Sequence, residues 1–417
     1  MRIALSGRRV LAVVAVLVAL VASAGIAYRV LAPAEVVTSA RLAYPPAPDA
    51  PPGVIGTLNA APLIVDGRLR VYATTRRVWA DQPVDAATRR TPYWAFRRWP
   101  AQVVGVVASG TMVVSRWSDG ELVALAARTG RIAWRANGPP TDQGYAGRRT
   151  GASTVYEPTG LHTARTGDGR DVLLLVDDSG GRGIDPDTGR ELWRFDGGRD
   201  CRAHALTTAA GQLATVDRCA TPPAVEFRDA GSGEVTGRWR PDGGDPQLTV
   251  EPVGCRVARS DCPAIRTTSG GTGTGWLTSD LSAPAAPVPV PALDGPESTL
   301  VDGVVVASEG GQVVGRPVTG DGEVWRWPEA ARILAVQPGR VHLRGDSQEL
   351  VTVDARTGAE LSRFPLTQGR DSTTWSPGLG YATDGFLAVE RLAEPVDPAA
   401  DNSRYYLSAQ PVILAAT

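Results

Sequence analysis

The stretch "GIDPDTGRELWRFDG", residues 183–197, decides the fold of this chain. Asp185 stands four positions before Gly189, and Thr188 lies between them. An Asp side chain can accept hydrogen bonds from the backbone of a turn, while Gly adopts positive φ without strain. The stretch therefore predicts a tight β-hairpin, and the ring of Trp193 that follows is suited to packing between sheets.

This hairpin pattern recurs along the chain. Good copies occupy residues 122–138, 225–243, 313–329 and 350–366, and weaker ones occupy 82–96 and 276–291. The turn positions follow each other at intervals of about 45 residues: Arg89, Gly130, Gly189, Gly233, Pro284, Gly322 and Gly358. This period, with a β-type run on each side of each turn, is typical of a four-stranded propeller blade. The alternative is a pair of β-sandwiches with chance similarities.

The expected fold is therefore all-β, a β-propeller of four-stranded blades. We expect eight blades, with seven as the alternative, and closure of the ring by a strand from about residues 35–65. The predicted turn residues are Asp85, Gly130, Asp185, Thr188, Gly189, Asp229, Gly233, Gly322, Asp354 and Gly358. The predicted docking residues between blades are Trp94, Trp134, Trp193, Trp239 and Trp325.

Composition supports this fold and excludes one class of partner. The 417 residues include 47 Gly and 33 Pro but only 2 Met, which favours many short elements joined by turns. The formal net charge is −1, and like charges form no block. We therefore expect no nucleic-acid partner.

The N-terminus carries a long apolar run. Residues 10–28 contain no charge and follow Arg2, Arg8 and Arg9. We expect a transmembrane signal anchor over residues 10–31, inserted in the lipid bilayer of the cell membrane. By the positive-inside rule, the tip 1–9 is cytoplasmic and the rest of this single-pass protein is extracytoplasmic. The alternative is a cleaved signal peptide, because "ASA" at 22–24 offers a cleavage site.

A spacer is expected between this anchor and the propeller. Residues 32–54 are rich in Pro and Ala, which favours an extended linker. The propeller is then predicted over residues 55–417.

Four cysteines fit an oxidising compartment. Cys201 and Cys219 bracket a hairpin centred near residue 210, so they should face each other across the two strands. Cys255 and Cys262 bracket a short loop. We predict both pairs as structural disulfides. Four buried thiols are the alternative, and the spacing does not suit a zinc site.

The repeats resemble the PQQ-like β-propeller family, in which an Asp, a Thr-Gly pair and a Trp mark each blade. One branch of that family contains quinoprotein dehydrogenases, which hold pyrroloquinoline quinone and Ca²⁺ on the propeller axis. The other branch contains non-catalytic scaffolds, such as the propeller lipoprotein of the outer-membrane β-barrel assembly machinery. The resemblance implies the propeller fold over about residues 55–417.

The residues favour the non-catalytic branch. The dehydrogenases stack an adjacent Cys-Cys pair on the quinone, whereas the cysteines here are well separated. Asp177 and Asp178 form the only paired acid at a strand end, and a turn explains them better than a calcium site. We therefore expect no cofactor, catalytic residue or metal ligand; quinone with Ca²⁺ is the alternative.

Other catalytic patterns are weak. His162, His204 and His342 are far apart in the sequence and lack a nucleophile elbow. The Gly-rich "SGGTGTGW" at 269–276 precedes a strand-like run, so it is not a phosphate loop. "RRTPYWAFRRWP" at 89–100 mixes Arg with aromatic residues and could form a basic patch.

These observations predict a binding or scaffold module of the cell envelope, which engages an unidentified envelope protein through loops on one face of the ring. A quinone-dependent oxidoreductase is the second hypothesis, and a hydrolase with an unrecognised carboxylate site is the third.

Overall fold

The structure, a computed structural model, describes residues 7–241, 245–257, 259–278, 286–320, 322–367, 375–393 and 410–417. The N-terminal helix α1 spans Gly7–Leu31. Within the described ranges, no helix combines the length and apolar character that a membrane span needs. The transmembrane anchor predicted over residues 10–31 is therefore not supported. Residues 1–6 of the predicted tip and the weak turn at Pro284 lie outside the described residues.

The strands form a β-propeller built of antiparallel sheets. Blade 1 contains β1 (Ala34–Thr38), β3 (Leu63–Val65), β4 (Leu69–Thr74), β5 (Arg77–Asp81) and β6 (Trp94–Trp99). Blade 2 contains β7 (Val103–Ser109), β8 (Met112–Trp117), β9 (Glu121–Ala126) and β10 (Ile132–Asn137). Helix α2 (Ala152–Tyr156) follows blade 2. Blade 3 contains β11 (Leu161–Arg165), β12 (Asp171–Val176), β13 (Gly180–Ile184) and β14 (Glu191–Asp196).

The remaining strands continue around the ring. Blade 4 contains β15 (Arg202–Thr207), β16 (Gln212–Asp217), β17 (Ala224–Asp229) and β18 (Val235–Trp239). Blade 5 contains β19 (Thr249–Val253), β20 (Ala264–Ser269), β21 (Thr272–Leu277) and β22 (Val288–Pro289), and a 3₁₀-helix (Pro291–Leu293) follows it. One wide sheet contains β23 (Ser298–Val301), β24 (Val304–Glu309), β25 (Gln312–Pro317), β26 (Trp325–Gln337), β27 (Arg340–Gly345), β28 (Glu349–Asp354) and β29 (Glu360–Pro365). The closing blade contains β2 (Gly53–Leu58), β30 (Ser376–Thr383), β31 (Phe386–Leu392) and β32 (Val412–Ala416).

The propeller prediction is confirmed, but the blade count is corrected. Among the described strands, six blades are separate sheets of four or five strands, and the seventh sheet has seven strands. This wide sheet arises because β26 is continuous over 13 residues. Its first part pairs with β25 and its second part with β27, so it joins two four-stranded units. The structure therefore has six separate blades and one wide sheet of two units, in place of the eight, or seven, separate blades expected.

Burial explains why these residues form strands. The middle strands β8 and β31 are buried at every position, because neighbouring blades cover both of their faces. Most of their residues are apolar, and the charged side chains among them, such as Arg116 and Glu390, are buried as well. The outer strand β14 carries exposed and partly buried side chains instead. The core is therefore divided into layers between blades.

The ring is closed by a strand from near the N-terminus. β2 pairs with β32, and Leu58 lies opposite Val412. This pairing lies within the range of residues expected to close the ring. It completes a four-stranded sheet from both ends of the propeller sequence.

The segment predicted as a linker also contributes to the fold. β1 pairs with β6 over its whole length and adds a fifth strand to blade 1. Further along, the hydroxyl of Tyr93 donates to the carbonyl of Leu42 at 3.2 Å, and the hydroxyl of Tyr44 donates to Asp66 at 3.0 Å. Residues of the Pro-rich segment therefore pack on the propeller.

Both predicted disulfides are present. The disulfide between Cys201 and Cys219 joins the start of β15 to the end of β16, where Arg202 lies opposite Asp217. Cys255 and Cys262 close the loop between β19 and β20. The described residues contain no free cysteine.

Candidate binding site at the propeller axis

The first strands of successive blades surround the propeller axis. β7 contacts β11, β11 contacts β15, β15 contacts β19, and β26 contacts β30. The connection between β10 and β11 runs to this inner ring and forms α2, which packs on β4, β7 and β30. One end of the axis is thus lined by inner strands and a short helix.

Three hydrogen bonds and one ring contact hold α2 in place. The hydroxyl of Tyr156 donates to the carbonyl of Pro62 at 3.0 Å, and its ring stacks on Tyr381 of β30 at 4.8 Å between centroids. Just before the helix, the Thr150 carbonyl accepts from the backbone of Ala61 at 2.8 Å, and the Thr150 hydroxyl donates to Glu390. The position of α2 is therefore fixed by blade 1 and the closing blade.

Glu157, directly after α2, borders three adjoining cavities, which we call the axial cavities. The first, of about 470 Å³, lies beside His162 and His204. The second, of about 340 Å³, lies beside Arg256 and Tyr381. The third, of about 550 Å³, lies beside Arg332 and Glu390. The exposed carboxylate of Glu157 is thus shared by all three.

The loop closed by Cys255 and Cys262 carries two arginines to these cavities. Arg256 borders the second cavity and Arg259 the first. The loop is fixed to β15, because the Thr207 backbone donates to the Arg259 carbonyl at 2.9 Å and the Arg259 Nε donates to the Ala205 carbonyl at 3.0 Å. This disulfide therefore positions cationic side chains at the axis.

Arg256 and Arg332 are cations that lack a direct anionic contact among the described residues. Both are exposed, and neither side chain has a hydrogen bond or salt bridge to any residue that the structure describes. The Glu157 carboxylate likewise has no such partner within those ranges. Exposed groups of this kind keep their water until a ligand of opposite charge replaces it.

His162 is a buried polar side chain beside the first cavity. Its ring is 2% exposed, and neither ring nitrogen has a hydrogen-bond partner in the described residues. Burial, reinforced by Arg259 and Arg116, lowers the pKa of His162 to about 3. The imidazole is therefore neutral at pH 7 and offers one donor and one acceptor to the first cavity.

His204 lies beside the same cavity in an unusual backbone conformation. Its φ is 53°, at a register shift in the pairing of β15 with β16. Its Nε2 lies 3.2 Å from the guanidinium of Arg218, and burial lowers its pKa. His162 and His204 are far apart in the sequence, but the propeller fold brings both side chains to one cavity. His342 lies elsewhere, 2.8 Å from Gln337 and 3.1 Å from Thr352.

Glu390 is a buried carboxyl group at the third cavity. Burial raises its pKa, although the Thr150 hydroxyl and the backbone of Leu379 donate hydrogen bonds to it and favour the charged form. It is 5% exposed. This side chain had no signal in the sequence, because its burial depends on the loop that precedes α2.

The acidic pair and the cysteines that the sequence raised as cofactor candidates lie in separate places. Among the described residues, no three acidic, His or Cys side chains converge in a way that could hold a metal ion. The side chain of Asp177 accepts from the backbones of Ser179 and Gly180 at 2.9 and 3.0 Å, which is the turn expected for it. The four cysteines form two separate disulfides rather than an adjacent pair. The cysteines thus do not supply the adjacent pair that the family resemblance associates with quinone binding.

The repeated motif builds blade contacts away from the axis. The side chains of Asp185, Asp229 and Asp354 each accept from two backbone amides of their own turns. The indoles of four tryptophans donate to the turn of the following blade or unit: Trp94 to Ala127, Trp134 to Pro186, Trp193 to Ala230 and Trp325 to Ala355. The Gly residues of those turns lie against the same rings: Gly130, Gly189, Gly233 and Gly358.

Three predicted motif residues have other surroundings. Trp239 packs edge-on against Trp276 at 4.7 Å. Gly322 has a φ of 116°, and no atom of the described residues lies within 4 Å of the position that a Cβ would take. In blade 1 the buried carboxylate is Asp81, which accepts from Arg70 at 2.7 Å, rather than Asp85. These departures occur where the turn sequence departs from the Asp-Thr-Gly pattern.

The Gly-rich stretch at 269–276 forms a hairpin. Gly270 and Gly271 have φ of 57° and 82° between β20 and β21. The side chain of Asp245 accepts from the Gly270 backbone at 2.8 Å. The strand β21, rather than a helix, follows the turn, as the sequence predicted.

Comparison with known proteins adds the following. Residues 91–196 match the family model described as "Outer membrane protein assembly factor BamB". BamB from Moraxella catarrhalis is 13% identical, with a TM-score of 0.44 over 92% of this chain and 99% of that chain. The C-terminal WD40 domain of Sif2 is 11% identical, with a TM-score of 0.49 over 88% of this chain and 98% of that chain. No curated protein matches the sequence. The resemblance to the PQQ-like β-propeller family is thereby confirmed, and the family model carries it over residues 91–196.

Proposed function

We propose that this protein is a non-catalytic binding module of the cell envelope, and that it holds a protein partner at the axial cavities around Glu157. The observation that carries this proposal is the set of unpartnered polar groups at one end of the axis. The side chains of Arg256, Arg332 and Glu157 make no hydrogen bond or salt bridge to any described residue, and His162 is buried there with neither ring nitrogen hydrogen-bonded.

The chemistry of these groups favours binding over catalysis. A nucleophile would need a base within hydrogen-bond reach, and a metal-assisted reaction would need converging ligands. Within the described residues no such set of metal ligands converges, and the one hydroxyl–carboxylate contact described above, from Thr150 to Glu390, lies between two buried side chains. Cations and an anion spaced around connected cavities suit a polar peptide that carries both charges.

The two disulfides support an extracytoplasmic location, since such bonds persist in oxidising compartments. The disulfide at Cys255 also fixes the loop that presents Arg256. This role does not depend on membrane attachment through residues 10–31.

Site-specific photocrosslinking in cells tests the proposal. A photoreactive amino acid at Leu379, which borders the second and third cavities, should give a discrete protein adduct. The same amino acid at Leu361, on the exposed outer strand β29, serves as the positional control. Identical adducts from both positions would overturn the axial assignment.

Charge reversal supplies a second control. Arg256→Glu with Arg332→Glu should remove the Leu379 adduct, whereas Arg199→Glu, at an exposed position that lines none of the three cavities, should keep it. An adduct that survives the double reversal would contradict a role for these arginines. In parallel, pyrroloquinoline quinone with Ca²⁺ should give no saturable thermal shift; a saturable shift with dye reduction would favour the oxidoreductase instead.

A further inference from the structure

Blade 1 carries a second surface that the axial site does not use. Its edge strand β1 pairs with β6 on one side, and no described strand pairs with its other side. All five residues of β1 are exposed, and Val36 is 57% exposed. An open strand edge presents unpaired backbone donors and acceptors to another chain.

The sheet face beside this edge is basic. Arg77 of β5 lies directly opposite Arg97 of β6, and Arg97 lies directly opposite Val36 of β1. Residues opposite one another share a face, so the two guanidinium groups project from the same side of the sheet. Like charges in this arrangement are destabilising.

Among the described residues, no acidic side chain relieves this repulsion. Arg77, Arg89 and Arg97 make no salt bridge within those ranges, although Arg89 donates to Asn59 at 3.2 Å. The pKa of Arg77 is lowered, by burial first and then by the charges of Arg89 and Arg97. Arg77 also lies 5.0 Å from the ring centroid of Trp79. The sequence segment at 89–100 thus contributes to a basic and aromatic face.

The opposite face fixes β1 in place. Glu35 accepts from Arg98 of blade 1 at 2.8 Å and from Arg135 of blade 2 at 2.6 Å. Arg98 is held in turn by Asp119 at 2.9 Å. β1 is therefore anchored on one face while its edge and its basic face stay open.

We propose that β1 is a docking edge for an extended acidic segment of a partner protein, which adds a strand beside β1 and turns carboxylates towards Arg97, with Arg77 behind it on the same face. An added strand lies about 4.8 Å from β1, so alternate side chains fall on the basic face. Long arginine side chains can reach across Val36 to meet them. The charge of the face selects the acidic class of segment.

Fluorescence anisotropy with the full-length protein tests this proposal. The probe is a fluorescein-labelled synthetic peptide with glutamate at every second position and valine or threonine between; its glutamine counterpart is the control. We expect the glutamate peptide to bind about tenfold more tightly, and this preference should shrink at high salt. Equal affinity for both peptides would overturn the proposal.

Two variants and one exchange experiment sharpen the result. Arg77→Gln with Arg97→Gln should remove the preference for glutamate, whereas Arg199→Gln should keep it. Hydrogen exchange should show added protection at residues 34–38 with the glutamate peptide. Binding without that protection would mean electrostatic attraction alone and would refute strand addition.

Binding of vesicles with anionic phospholipid, but not of the peptide, would assign the face to a membrane instead. Photocrosslinking from Leu379 should be unchanged by the Arg77 and Arg97 variants, which separates this surface from the axial site.

Discussion

The indole nitrogen of Trp193 donates a hydrogen bond of 2.8 Å to the carbonyl of Ala230, in the turn of the next blade. Gly233 of that turn lies against the same ring. Each Trp that donates in this way thus contacts the turn of the following blade or unit. Gly is required there both for the positive φ of the turn and to leave room for the indole ring. This relationship connects the sequence repeat to the contacts between blades.

Gly233→Ala should destabilise the protein by about 2–4 kcal/mol. The φ of Gly233 is 74°, and an added Cβ would lie 2.5 Å from Cδ2 of Trp193. Gly303→Ala is the matched control, because Gly303 has a φ of 78° and open space around its Cβ position among the described residues. Gly303→Ala should lower the free energy of unfolding by about 1–2 kcal/mol, from backbone strain alone. Urea unfolding measures both, and equal losses would contradict the contact with Trp193.

Removal of each disulfide should lower stability by an amount set by its loop. Cys255→Ser with Cys262→Ser opens a separation of 7 residues and should cost about 2.5 kcal/mol. Cys201→Ser with Cys219→Ser opens a separation of 18 and should cost about 3 kcal/mol. In addition, only the first variant should weaken the Leu379 adduct, because it frees Arg256. If both variants keep the adduct, the loop does not position the site.

His162 should make the protein sensitive to acid. Its folded pKa of about 3 lies below the ordinary histidine value of 6.5, so the unfolded chain binds a proton first as the pH falls. Stability is therefore lost from about pH 6.5 downwards, by about 3 kcal/mol at pH 4. His162→Asn should make this part of the profile less steep, and the slope that remains should come from His342, whose pKa burial also lowers to about 3. Denaturation curves from pH 7 to pH 4 provide the measurement, and parallel profiles for both proteins would exclude a buried neutral His162.

Glu390 should make folding stability change with pH in the opposite direction to an ordinary salt-bridged carboxylate. Its folded pKa is raised above 4.5, so its contribution is present at low pH and is lost as the pH rises through the folded value. Relative to Glu390→Gln, the wild type should therefore lose stability with increasing pH. Glu35 is the control of opposite sign: Arg135 lowers its pKa, so its contribution is lost as the pH falls below 4.5. The same slope for both substitutions would contradict the buried state of Glu390.

Arg97→Gln should stabilise the protein by about 0.2–1 kcal/mol, because it removes a like charge directly opposite Arg77. The adjacent Arg98→Gln should destabilise it, because Arg98 pairs with Glu35 at 2.8 Å and Asp119 at 2.9 Å. Thermal unfolding measures the opposite signs of the two stability changes. Repeating it at high salt should reduce both changes, because both are electrostatic. A loss of stability in Arg97→Gln would show that the face is not strained by repulsion.

The sequence was sufficient where a local pattern determined the structure. Asp185, Gly189 and Trp193 specify their hairpin by nearby interactions, so the repeat predicted the propeller. The two disulfides were also predictable, because each pair brackets one short hairpin or loop.

Features that depend on distant contacts were not predictable. β1 belongs to a segment whose Pro and Ala residues favour an extended linker, and only its pairing with β6 makes it a strand. The cavity shared by His162 and His204 exists because adjacent blades lie side by side. The wide sheet could have been suspected, since residues 325–337 contain no Gly to separate two strands. Hydropathy alone likewise did not establish a membrane span at residues 10–31.

The pairing of β2 with β32 has a consequence for biosynthesis. Because Leu58 pairs with Val412, a ribosome must synthesise all the residues between them before the two strands can meet. During that interval the nascent ring stays open, and β2 can be captured by β32 of another molecule. Slow translation or a high concentration of nascent chains should therefore produce strand-exchanged dimers, whose yield reports the time that the ring spends unclosed.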